Sequence, residues 1–235
     1  MKNQSFAQGL YEVSATQKEI VGMLRIEPDG RKFRYAKAGA ADLGAGKMGI
    51  TIVAVANHVN CAPAVAVKIG DTEVSVTLGA TLATEDQYKD GYLQVNDGTG
   101  QGHSYPIESN TAAVLSGTCV VRLKVPVIIA LTVAGSEVSL LPNPWRGVTE
   151  SATSESGAAG IPLKAVTTLY YYWAQTGGFA VCLAEGTDGL GTTLELGAGA
   201  GAVKVQAGYT CNYVGTVIQT AFIAAEYKPI WLTLD

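Results

Sequence analysis

The stretch Thr72-Glu-Val-Ser-Val-Thr-Leu78 alternates without a break. Val74, Val76 and Leu78 fall on one face, and Glu73, Ser75 and Thr77 on the other. A period of two belongs to a half-buried β-strand, in which successive side chains point to opposite sides. The same period runs through Lys32 to Tyr35, with Phe33 and Tyr35 facing inward, and through Val203-Lys-Val-Gln206. Turn signals punctuate these runs: Pro28-Asp29-Gly30, Gly70-Asp71, Asn96-Asp97-Gly98 and Asp188-Gly189. Asp29-Gly30 between two periodic runs predicts a hairpin, because glycine accepts the positive φ that tight hairpin turns require. Helical period is nearly absent. The strongest candidate is one turn over Thr84–Lys89, capped by Thr84 with Glu85 and Asp86 at its start. The chain reads as all-β.

Pro142 and Pro144 flank Asn143 and force an extended path. Glu150 to Gly160 then carries only Ser, Thr, Ala, Gly and Glu, which reads as a linker or long exposed loop. The expected plan is two small β-sandwich or barrel-like domains: residues 25–146, a connecting segment 147–160, and residues 161–235. One domain with a surface excursion is the alternative. The weakly patterned residues 1–24 are expected to form an N-terminal arm that orders against a neighbour. No internal repeat is evident, and Gly197-Ala-Gly-Ala-Gly201 is a short biased tract.

Composition narrows the class. Of 235 residues, 48% are hydrophobic and 15% charged, the reverse of a disordered chain. The longest apolar run, Val125 to Leu131, contains Pro126 and falls far short of the roughly 18 residues a membrane helix needs. Lys2 is followed by polar Asn3, Gln4 and Ser5, so no secretory leader is expected. With a net charge of −4 and scattered basic residues, no cationic stripe for nucleic acid is present. The one basic cluster, Arg31, Lys32, Arg34 and Lys37, reads as the solvated face of a strand. Cys61, Cys119, Cys182 and Cys211 lie far apart with no C-x-x-C pair, and read as buried free thiols in a chain made in a reducing compartment.

Catalytic motifs are weak. His58 ends an apolar run and reads as a packed histidine. Ser104, His103 and Asp97 do not make a triad, because adjacent strand residues face opposite sides. Gly98-Thr-Gly-Gln-Gly102 leads into a strand rather than the helix a dinucleotide loop requires. Gly44-Ala-Gly46-Lys47 lacks the first glycine and the hydroxyl of a phosphate loop, with Ala41 and Met48 in those places. No calcium or zinc spacing occurs, so no cofactor or metal is expected. A hydrolase using the scattered acids Asp86, Asp90, Asp97 and Glu108 is one rival reading. The expectation is a protein that is not an enzyme.

Two runs, Val125–Leu131 and Phe179–Ala184, are apolar on both strand faces. Such strands need cover on both sides, from a second sheet or another subunit. Tyr170-Tyr-Tyr-Trp173 likewise offers aromatics to both faces, as core on one side or as an interface anchor. Phe33, Tyr35, Val127, Ile129, Trp145, Tyr171 and Trp173 are the resulting interface candidates.

Four segments carry a family resemblance: Arg31-Lys-Phe-Arg-Tyr-Ala-Lys-Ala-Gly39, Gln87-Tyr-Lys-Asp-Gly-Tyr-Leu-Gln-Val-Asn-Asp-Gly98, Ser136-Glu-Val-Ser-Leu-Leu-Pro-Asn-Pro-Trp145, and Tyr171-Tyr-Trp-Ala-Gln-Thr-Gly-Gly178. They resemble virion structural proteins of tailed bacteriophages, specifically capsid decoration (cement) proteins. The glycine-rich C-terminal part, closing on Ile230-Trp-Leu-Thr-Leu234, resembles small β-barrel decoration modules more loosely. The resemblance implies a homotrimer bound to the major capsid protein on the outside of the shell, made in the host cytoplasm and contacting neither nucleic acid nor membrane. It supplies no catalytic residues. The other rival is a receptor- or carbohydrate-binding module using Trp145, Tyr170 or Trp173 as a stacking platform.

Overall fold

The computed structural model describes residues 5–150, 157–187, 189–207, 213–219 and 224–235. In chain order the strands begin with β1 (Leu24–Ile26), β2 (Lys32–Ala38) and β3 (Gly49–Ile50). After a 3-10 turn at Ala56–His58 come β4 (Ala62–Pro63), β5 (Glu73–Thr77), β6 (Tyr92–Gly98), β7 (Ser104–Asn110), β8 (Thr118–Leu123) and β9 (Ser136–Leu141). The remainder are β10 (Arg146–Val148), β11 (Ala158–Pro162), β12 (Tyr171–Leu183), β13 (Thr193–Leu196), β14 (Val203–Val205), β15 (Tyr213–Val217) and β16 (Tyr227–Thr233). The all-β reading stands. Thr84–Lys89 is a run of turns with Asp86 left-handed, not a helical turn.

The chain divides into two compact units, but not where composition places the boundary. Residues 53–143 form one unit, inserted within another made of residues 1–52 and 144–235. The proline break at 142–144 does end a unit. Beyond it the chain rejoins the unit it began in, because β2 pairs along the first half of β12, from Lys37↔Tyr171 to Lys32↔Gly177, and accepts β10 in parallel. The expected domain at 25–146 is therefore split, and 147–160 is not a spacer. Residues 151–156 lie outside the described residues, but Ala158 and Gly160 pair with β3, and Ala159 is fully buried. The run is rich in Ala and Gly because strands crowd there. A Cβ on Gly160, whose φ is +125°, would sit 2.6 Å from the Gln175 carbonyl oxygen.

In the inserted unit the strand order is β4-β5-β8-β7-β6-β9. The sheet curls until its ends meet, with Cys61 and Val138 exchanging two backbone hydrogen bonds of 2.8 Å. Val74, Val76, Leu93, Val95, Ile107, Val121 and Leu140 fill the inside. The strict alternation of 72–78 is thus the inward face of β5. His58 is buried, with Nδ1 bonded to the Tyr88 hydroxyl and Nε2 2.9 Å from the Thr81 carbonyl oxygen.

In the other unit the sheet runs β1-β2-β12-β16-β15-β13-β14. The β1–β2 hairpin turns at Gly30, φ +85°, as the Asp29-Gly30 signal predicts. Two members of the basic cluster are paired within the chain: Arg34 forks onto the Asp235 carboxylate at 2.9 Å twice, and Lys32 Nζ reaches the Asp235 carbonyl. Residues 5–24 are not an arm awaiting a neighbour. Gln8 is fully buried, accepting from the Tyr35 hydroxyl at 2.6 Å and donating to the Tyr171 carbonyl at 3.0 Å. Trp173 Nε1 donates to the Gln8 carbonyl, and Phe6 packs edge-on against the Trp173 ring at 5.1 Å.

Candidate functional site

That N-terminal cover decides the fate of the interface candidates. Phe33, Tyr35 and Trp173 are buried at 1% exposure or less, and Tyr171 is nearly so. A strand apolar on both faces does need cover on both, and here the chain's own first residues supply the second layer. Trp145 is half-buried and donates Nε1 to the Ala159 carbonyl. Val127 belongs to the inserted unit's core, and only Ile129 is on the surface. Val125–Leu131 forms no strand; it is a loop that tucks in Val127 and Leu131 and leaves Val125, Ile128 and Ile129 outside. The candidates therefore do not form one surface. Trp145, Tyr170 and Trp173 do not form an exposed stacking platform either, since Trp173 is core and the other two are half-buried.

Four of the candidate catalytic residues, His103, Asp97, Asp90 and Asp86, make local contacts. His103 Nδ1 lies 2.9 Å from the Gly100 carbonyl oxygen, and Asp97 accepts from the Gly98 amide. Asp90 is bound by Lys124 Nζ at 2.7 Å, and Asp86 faces Lys89. Among the described residues no three His, Cys, Asp or Glu side chains gather as a metal site, and no helix is long and apolar enough to cross a membrane. Cys61, Cys119 and Cys182 are buried free thiols, and burial raises the pKa of each. Cys211 and the Asp188 turn signal lie outside the described residues.

The surface is organised instead by a recurring device that strand periodicity does not reveal. Six buried or half-buried residues pair reciprocally through two backbone hydrogen bonds: Leu43 with Val166, Val67 with Leu131, and Ala83 with Ala113. Each is followed at once by a tight turn that leads into β3, β12, β5, β9, β6 or β8. In five of the six, the carbonyl after the bridge accepts from the amide three residues on, and the third turn residue is left-handed: Gly46, Gly70, Asp86, Ser116 and Leu169. A positive φ at that place is what a type II turn requires. The device does leave a trace in the sequence. Val67-Lys-Ile-Gly-Asp-Thr-Glu-Val-Ser-Val76 and Leu131-Thr-Val-Ala-Gly-Ser-Glu-Val-Ser-Leu140 align position for position.

These turns hold apolar side chains out into solvent. Ile69 (69% exposed) and Val133 tip the Val67–Leu131 pair, with Ile128 also exposed on the loop that leads into Leu131. Leu82, Val114 (75% exposed) and Leu115 surround the Ala83–Ala113 pair, where an open groove of about 760 Å³ lies between the two turns. Leu169 tips the Leu43–Val166 pair. Scattered exposed aliphatics are ordinary, whereas here they recur at the tips of doubly bonded turns, in the inserted unit at two pairs and in the other unit at one. Comparison with family models, with curated proteins and with solved structures finds no match for this chain.

Proposed function

We propose that this chain is a structural virion protein of a tailed bacteriophage, a decoration protein that binds the outer surface of the assembled capsid as a homotrimer and stabilises it. The observation that carries the reading is the set of apolar tips on paired, rigid turns, together with the four family-like segments. A tip held by two backbone bridges loses little freedom on docking, so more of its burial is kept as binding free energy. A protein that binds only the assembled shell stabilises it by mass action, about 2.7 kcal/mol per site when free protein stands at about a hundred times Kd. The acidic balance suits a position away from packaged DNA.

The test combines light scattering with co-sedimentation against empty expanded shells. The expected result is a trimeric mass and saturable pelleting with shells, weakened when Ile69 and Val133 are both changed to Ser. A monomer that stays in the supernatant overturns the reading.

A further inference from the structure

The outer face of β12 and β16 carries a surface unlike the turn tips. Phe179 and Trp231 are direct cross-strand partners, 46% and 48% exposed, while their neighbours Ala180, Cys182, Ile230 and Leu232 fill the core behind them. Tyr227 stands on the same face of β16 as Trp231. Its ring lies against Gly46, where a Cβ would come within 2.8 Å of two ring carbons, so the absence of a side chain there lets the ring seat. Between Phe179, Val181, Tyr227, Leu163 and Arg31 opens a cavity of about 360 Å³, the size of small-molecule sites in general.

Gln175 and Arg31 are the polar side chains that line this cavity; the Gln175 amide nitrogen already donates to the Gly177 and Phe179 carbonyls, so a ligand meets Arg31. Its Nε donates to Asp29 at 2.6 Å, its guanidinium lies over the Phe33 ring at 5.5 Å, and its stem packs on Gly178. Of its five N–H donors, one goes to Asp29 and one to the Tyr11 phenol, leaving three for a ligand. We infer that the cavity binds a neutral pyranose, one ring of a surface glycan. Phe179 and Tyr227 offer flat rings to the C–H face of a sugar, and the Arg31 guanidinium, fixed in place by Asp29, offers donors to neighbouring hydroxyls. Asp29 already balances the charge of Arg31, so the site does not select an acidic sugar. A purely aliphatic ligand would strip water from the guanidinium N–H groups that Asp29 and Tyr11 do not take.

The experiment is a titration of the purified full chain with methyl glucoside, galactoside, mannoside and N-acetylglucosamine, read by the amide and indole N–H shifts of Phe179, Arg31 and Trp231. Saturable shifts with at least one sugar are expected, with affinity reduced about tenfold or more in Phe179→Ala and in Arg31→Lys, which keeps the charge but loses the fork. No saturable shift with any of the four overturns the inference. So does binding that survives Phe179→Ala unchanged in a variant of native melting temperature. Shell co-sedimentation does not depend on this cavity, so each proposal fails on its own measurement.

Discussion

Replacing Leu131 by Ala separates what the paired turns do for stability from what their tips do for docking. Leu131 is 1% exposed, its amide and carbonyl are both bonded to Val67, and its Cδ2 lies where a Cβ on Gly100 would approach to 2.8 Å. Gly100 has φ +89° and no side chain to move into the space. A truncation that cannot be refilled costs about 3 kcal/mol, within the usual range of about 2 to 5 for buried leucine. The inserted unit spans residues 53–143, and for a domain of that size each kcal/mol moves Tm by about 4–8 °C. Leu131→Ala should therefore lower the melting temperature by roughly 12–24 °C in a far-ultraviolet circular dichroism scan. Val133, two residues on at the exposed tip, is the control. Val133→Ala should stay within about 0.5 kcal/mol, or under about 4 °C. If Val133→Ala destabilises as much as Leu131→Ala, or Leu131→Ala shifts Tm by less than the control limit, the division into buried bridge and displayed tip is wrong.

Gly98 ends β6 with φ +72°, and a Cβ there would collide with the Gly135 carbonyl oxygen. Gly98→Ala should cost at least about 2 kcal/mol, read from the urea midpoint at unchanged slope. Tyr88→Phe leaves His58 Nδ1 buried without its partner and should cost about 1–3 kcal/mol, read from the urea midpoint. The Cys182 thiol is pushed up to about 12 by burial, from an ordinary value near 9. Above pH 9 the unfolded chain therefore releases this proton and the folded chain keeps it. Stability should fall by about 1.4 kcal/mol per pH unit from there toward pH 12, and Cys182→Ala should remove that part of the slope in urea melts.

Much of the strand pattern is local and is therefore legible in the sequence. Alternation in 72–78 and 32–35, the Asp29-Gly30 turn, the packed His58 and the buried Cys61, Cys119 and Cys182 each follow from a few neighbouring residues. The interface candidates mislead for a physical reason. Apolar character on both faces of Tyr171–Trp173 says that two layers cover the strand, but not whose layers they are. Gln8 and Phe6, some 165 positions away, answer that only in the folded chain. The run 157–160 misleads in the same way, because Ala and Gly suit a loose linker and also a place where strands are crowded.

By itself the sequence determined the secondary structure class, the hairpin turn at Asp29-Gly30 and the low share of charged residues, since these depend on residue type and spacing alone. Tertiary structure alone decided that residues 53–143 are an insertion, that residues 5–24 pack into the core, and that Phe179, Tyr227 and Trp231 are exposed while Trp173 is buried. Burial is a property of what arrives from elsewhere in the chain. Long-range pairings such as Phe179↔Trp231 and Lys37↔Tyr171 leave no periodic mark in either partner.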